Sequence, residues 1–311
     1  MRAILEYNNG ATQAQILQGL VDVLTGETNV NNLTGFNAAN SSIVATVPAG
    51  WTVHDSTSGT NKQVIKAAYS GNASIYKYAE ISIDSTTLFT MFLYEDFNAT
   101  THSGTNITNN ATNYRQRLSL SAAGNKIHVF ASARFIILLS EVAGSYGDSS
   151  GNGATVLAEM TPIIEWNNST SYPYPSACLI LSYCFQNATN KYCYMSRAKN
   201  NVDSDATGGN ATFGIGSLCF INTFTNSTYF PTGVGAVIYD GSSNQKVPRF
   251  PMFPVNPATF TMPIGDISAS SDIWLLPTNL LGTFDTVTIG STQYVAVPAY
   301  STTTKYLVRD G

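Results

Sequence analysis

From Tyr78 to Val142 the chain runs through apolar segments separated by polar loops of Asn, Thr, Ser and Gly, and no fold that lacks a sheet accommodates that pattern. Ile81 and Ile83, then Leu88, Phe89, Met91, Phe92 and Leu93, mix alternation with continuous apolar runs. Such runs belong to strands covered on one face or on both. Leu118 and Leu120 alternate with serines, Gly124-Asn125 is a turn signal, and Ile127, Val129 and Ala131 resume a period of two, which predicts a hairpin. Phe135 to Leu139 predicts a buried strand. The stretch reads as a β-meander.

The rest of the chain fits around it. Ile16, Leu17, Leu20, Val21 and Leu24 recur at helical spacing between Ala11 and Leu24, and Gly26 supplies a stop, so an amphipathic helix precedes the strands. Its apolar face either packs on the sheet or docks on a neighbouring subunit, which makes Ile16, Leu17, Leu20 and Leu24 interface candidates. Ser42–Val47 alternates as a strand, and Pro48-Ala49-Gly50 turns into Trp51–Asp55, where Trp51 and Val53 are expected to point inward. Val64–Ala68 continues the strands. The polar segment from Asn98 to Asn113 is expected to be a long loop that does not pack.

A boundary is expected near residue 150, giving a helix-plus-meander region over 1–150, a second β region over 151–255 and a C-terminal hairpin region over 256–311, the last either separate or part of one composite domain with the preceding regions. The second region offers strands at Val156–Ile164, Ala177–Phe185, Tyr192–Met195, Phe213–Phe220 and Val234–Tyr239. Pro248–Pro257 is a proline-spaced arm, and Phe250, Met252 and Phe253 on it are further interface candidates. Val287–Val297 reads as two strands about Gly290, and Lys305–Arg309 as a last short strand. The expected fold class is mainly β, with antiparallel sheets forming a sandwich or barrel, one N-terminal amphipathic helix and a C-terminal β-hairpin.

Chemistry is sparse. His54 and Asp55 are neighbours on a strand and face opposite sides, so His54 is expected to be a hydrogen-bonded structural histidine. Glu95 and Asp96 diverge for the same reason, so a glycan-degrading enzyme using Glu95, Asp96 or Glu165 is the least favoured reading. Cys178, Cys184, Cys193 and Cys219 lack metal-ligand spacing, and read as buried apolar residues with Cys184 and Cys193 a candidate oxidised pair. The glycines at 208–216 lack the Lys-Ser/Thr of a phosphate loop. No catalytic residue, metal site or cofactor is expected.

Only 11% of the 311 residues are charged against 43% hydrophobic, and the net charge is −4. A surface made of Asn, Thr, Ser and Tyr repels its neighbours weakly, which suits a subunit packed against others. Fifteen scattered Lys and Arg do not make a nucleic-acid surface. The start meets charge at Arg2 and Glu6, too soon for a secretion signal, and Phe135–Leu139 is too short to span a bilayer, so synthesis in a cytoplasm without membrane insertion is expected.

The helix followed by Pro48–Asp55, the stretch Tyr94–His102 and the closing hairpin with Gly290 and Tyr294 together resemble virion structural proteins of tailed bacteriophages. That resemblance implies a non-enzymatic structural subunit, made in the host cytoplasm and residing in the virion. It would be a tail, baseplate or neck component whose partners are other virion proteins and copies of itself. A capsid decoration protein is the alternative placement. A carbohydrate-binding host-recognition module is another, with Tyr172, Tyr174, Tyr192 and Tyr194 as candidates for stacking on a host surface glycan.

Overall fold

The computed structural model describes residues 1–83, 88–94, 96–105, 116–117, 124–146, 154–160, 176–180, 193–196, 236–239, 246–249, 272–276, 281–298 and 305–310. The chain opens with β1 (Arg2–Glu6), α1 (Gln13–Thr25), β2 (Ser42–Val44), β3 (Thr52–Gly59), β4 (Lys62–Tyr69), β5 (Asn72–Ile83) and β6 (Leu88–Tyr94). It continues through β7 (Asp96–Asn98), β8 (Ser103–Thr105), β9 (Gln116–Arg117), β10 (Lys126–Ser132), β11 (Phe135–Val142) and β12 (Ser145–Tyr146). Then come β13 (Thr155–Met160), β14 (Ser176–Ile180), β15 (Cys193–Ser196), β16 (Ala236–Tyr239) and β17 (Lys246–Arg249). The last strands are β18 (Ile273–Leu276), β19 (Thr286–Ile289), β20 (Thr292–Pro298) and β21 (Lys305–Arg309).

An eight-stranded sheet runs β15-β14-β13-β11-β10-β1-β2, with β12 folded back on β11, and a five-stranded sheet runs β3-β4-β5-β6-β9. All the pairings are antiparallel. Alternate residues of the two sheets meet in one core: Ala3, Leu5, Ile127, Val129, Ile136, Leu138 and Leu157 from the first, and Ile65, Ala67, Ala79, Ile81, Phe89, Met91 and Leu93 from the second. The protein is therefore a mainly β, antiparallel sandwich, as the alternation predicts.

Helix α1 fills part of that core. Thr12 accepts from the Gln15 amide while the Gln15 side chain accepts from the Thr12 amide, a reciprocal cap that fixes the first turn. Gly26 ends the helix with φ 125°, a geometry that a side chain resists. Ile16, Leu17, Leu20 and Leu24 are buried at 0–2% exposure in the chain's own core, so the helix face cannot be a docking surface. The interface expected of these residues is corrected: the face is used between the two sheets. Gly19 fits there without a side chain, because a Cβ would clash with the edge of the Phe36 ring.

The C-terminal strands form a four-stranded sheet, β18-β21-β20-β19, whose β19–β20 hairpin turns at Gly290 with φ 62°. It is tied to the far face of the eight-stranded sheet. Phe284 stacks on His128 with ring centroids 4.3 Å apart, Arg2 pairs with Asp310 at 3.1 Å, and Arg134 pairs with Asp272 at 2.7 Å. Phe130, Ile137, Leu139 and Val156 on that face are accordingly buried, which explains the unbroken apolar run of β11.

Several sequence expectations fail for identifiable reasons. Strand β1 was absent from them, although it lies in the middle of the sheet between β10 and β2. With β1 on one edge and β11 on the other, β10 has no edge left for the 118–131 hairpin, and residues 118–123 lie outside the described ones. The expected boundary near residue 150 falls inside the eight-stranded sheet, which β13, β14 and β15 extend. Pro248 sits in a two-stranded ladder opposite Val237, where a proline can face an open edge. Phe250, Met252, Phe253, Tyr172, Tyr174, Tyr192, Glu95, Glu165, Cys184, Cys219 and the 213–220 strand lie outside the described residues. Tyr194 is described only as a backbone position, on β15 opposite Leu179.

Candidate functional site

The features that could carry function fall on one side of the sandwich. Among the described strands β2 ends the eight-stranded sheet and β3 ends the five-stranded sheet, and residues 45–51 join them directly. Trp51 anchors this connection: it is 1% exposed, and its indole Nε1 donates to the Ser132 carbonyl at 2.8 Å. Around the anchor three apolar side chains are exposed. Val44, Val47 and Val53 are exposed at 52%, 61% and 46%.

Val53 was expected inward beside Trp51. It pairs with the buried Ile65 and so shares that residue's inward face, but β3 ends its sheet among the described strands, and Val53 stays exposed there. No Asp, Glu, Lys or Arg occurs between Glu27 and Asp55. Edge strands of free proteins are usually guarded by charge, lysine above all, because open backbone donors and acceptors recruit other chains. Among the described residues this rim has two end strands, three exposed valines and no charge.

Beside the rim, the outer face of the five-stranded sheet carries the titratable groups. β7 and β8 form a short hairpin that folds over this face, so the first part of the expected 98–113 loop does pack. Phe97 sits edge-on to Tyr94 at 5.2 Å between centroids, and Gly104 is pressed against the Tyr94 ring so closely that a Cβ would overlap it. His54 Nε2 bonds to the Phe97 carbonyl at 2.9 Å, and its ring lies 4.8 Å from Tyr78. His54 is thus a hydrogen-bonded structural residue.

Asp55 finds a different histidine. His102, at φ 51° in the hairpin turn, places Nδ1 2.7 Å from Asp55 Oδ2, and the Thr57 amide and hydroxyl donate to Oδ1 at 2.8 and 2.9 Å. Burial alone would raise the Asp55 pKa, but these donors outweigh it and hold it below the usual carboxylate value. The sequence offered no sign of this pair because its members are 47 residues apart. Nearby, Glu80 accepts from the Tyr94 hydroxyl at 3.0 Å and faces Lys62 at 3.7 Å. Desolvation raises the Glu80 pKa despite both contacts, and burial beside Glu80 raises that of Tyr94 as well.

These two acids contribute to acid stability with opposite signs. A raised folded pKa means that ionised Glu80 opposes folding, so stability increases as pH falls through that value. A depressed folded pKa means that Asp55 supports folding above its unfolded value, so that support drains as pH drops below about 4. Thermal unfolding of the native chain and the two variants from pH 7 to 2 separates these contributions: on acidification the native chain should gain stability relative to Glu80→Gln and lose it relative to Asp55→Asn, and differences of the opposite sign would contradict the assignments.

His102 and Asp55 have the geometry of an oriented imidazole, but the hydroxyls beside them, Thr101 and Ser103, bond to each other at 2.7 Å. Asp96 is exposed and starts β7. Among the described residues no group of three or more His, Cys, Asp or Glu side chains could hold a metal ion, and no helix is long and apolar enough to cross a membrane. No protein-family model and no curated protein matches the chain.

Proposed function

We propose that the protein is a structural subunit of a tailed bacteriophage virion, a tail, baseplate or neck component that acts by assembly with other virion proteins and with copies of itself. The observation that carries this reading is the uncharged rim at residues 42–53. There, the end strands of two sheets meet among the described residues, and the side chains of Val44, Val47 and Val53 are exposed. A chain with such a rim gains by covering it, since an added strand satisfies the edge and buries the valines at about 25 cal/mol per Å² of apolar surface. The low overall charge supports the same reading.

The test is Val44→Glu combined with Val47→Glu. Both side chains are exposed, so the variant should fold with unchanged secondary structure and melting, and should fail to enter particles when it replaces the native chain in an infection. Incorporation at the native level would remove the rim from the account.

A second reading, a carbohydrate-binding host-recognition module, has one specific basis. Tyr76 is 37% exposed, with the Tyr78 ring 6.5 Å away and Lys66 Nζ 4.8 Å from its own ring centre. An aromatic platform beside hydrogen-bond donors can stack a sugar. Glycan-array binding that disappears in Tyr76→Ala would favour this reading over assembly.

A further inference from the structure

Lys77 is the most unusual charged residue among the described ones. It points from the inner face of β5 into the sandwich, is 0% exposed, and is walled by Trp51 and Tyr69, whose ring centres lie 5.3 and 4.9 Å from its Nζ. Its nitrogen reaches Glu159 Oε1 of β13 at 2.7 Å and the Ala68 carbonyl at 3.0 Å. The two side chains come from opposite sheets and are 82 residues apart in the chain. The carboxyl group is held as firmly as the amine. Ser70 donates its backbone N–H to Oε1 at 3.1 Å and its hydroxyl to Oε2 at 2.5 Å.

We propose that Lys77 and Glu159 condense to an intramolecular amide that covalently joins the two sheets. This is independent of how the chain assembles. In the step, the Lys77 nitrogen attacks the Glu159 side-chain carbonyl carbon and forms the C–N bond. One carboxyl C–O bond breaks, and the oxygen leaves as water with two protons originating on the ammonium. No oxidant, reductant or further reactant is needed, because an ammonium and a carboxylate together contain one amide and one water.

Three features of the site favour this outcome. Nζ is held within contact of the carboxyl group, so the encounter costs no further ordering. The Ser70 N–H and O–H point at the oxygens on which negative charge develops during attack, an arrangement that stabilises a tetrahedral intermediate. The ion pair that would otherwise persist is expensive to keep out of water, and the amide removes both charges. Burial also pushes the Lys77 pKa below its ordinary value even against the pull of Glu159, which increases the share of neutral, nucleophilic amine. Glu159 retains 11% side-chain exposure, so the released water has a way out.

Mass spectrometry of the full-length folded chain tests the proposal. The expected mass is lower than the sequence mass by one water, and a protease digest should contain a branched peptide linking the segments around Lys77 and Glu159. Lys77→Met and Glu159→Ala should each restore the full mass and abolish the branched peptide, with circular dichroism confirming that each variant folds. Ser70→Ala should slow the linkage as followed from synthesis onward. A native chain of full sequence mass whose digest contains only linear peptides overturns the proposal. So does a water loss that maps elsewhere, for example to the Asp240-Gly241 bond, where an aspartate can cyclise.

Discussion

Replacing Leu17 and Leu20 together by Asp is expected to abolish cooperative folding, leaving no β core behind. Both side chains lie at 0–2% exposure among residues of the two sheets, so each Asp would place an unpartnered carboxylate where no water reaches. Such burial costs several kcal/mol per group, and two of them approach the whole stability of about 5–15 kcal/mol typical of a domain. Even Leu20→Ala alone should cost about 2–5 kcal/mol through the cavity it leaves. Circular dichroism and urea titration decide the matter. A variant with native strand content and a sharp transition would show instead that the helix is a detachable arm. Deleting residues 1–26 should be worse still, because it also removes β1 and opens the middle of the eight-stranded sheet.

The second large effect is expected at Trp51. The indole fills space between the sheets, lies over Lys77 and donates to the Ser132 carbonyl, which fastens the β2–β3 connection to the strand pair β10–β11. Trp51→Ala should cost about 3–5 kcal/mol. Trp51→Phe keeps much of the packing and loses only the hydrogen bond, so its cost should be nearer 1 kcal/mol. The two losses should also differ in place. Hydrogen exchange in the phenylalanine variant should speed up at residues 45–53 before it does so in the rest of the sheets, since the rim depends on this anchor. Equal destabilisation by both substitutions would mean that the hydrogen bond, and not the ring, holds the connection.

Alternation carried the sheet architecture because it is a local property of strands. β4, β10, β11, β14 and the β19–β20 hairpin could each be read from a few adjacent residues, as could the helix from its apolar stripe and Gly26. Pairings that depend on distant segments could not. β1 is five residues long and bounded by Arg2 and Glu6, so its period is too short to stand out, yet it occupies the edge of β10 that the sequence assigned to Leu118–Ser121. The hairpin of β7 and β8 is polar in composition. It packs through Phe97, the absence of a side chain at Gly104 and the reach of His102, none of which a composition-based reading registers.

The site residues divide the same way. His54 could be assigned a structural role from its place on a strand, whereas the partner of Asp55 was out of reach. The helix stripe was ambiguous because a core face and a docking face have the same period, and only the second sheet resolves which it is. Val53 shows the converse: it pairs with inward-facing Ile65 as a period of two predicts, yet it stays exposed because it lies on the end strand of its sheet, which the period does not register. A usable signal existed for Lys77. In Lys77-Tyr78-Ala79-Glu80-Ile81 it occupies the same parity as Ala79 and Ile81, which places an ammonium on the inward face and so calls for a partner from across the core.

The most direct test of an assembly role is quantitative mass spectrometry of purified phage particles separated into head and tail fractions. The chain is expected in the tail fraction at a fixed small multiple of the tail's rotational symmetry, with the Val44→Glu and Val47→Glu double variant missing from it. Recovery with the heads in large numbers would move the protein to the capsid surface, and absence from particles altogether would contradict the structural role.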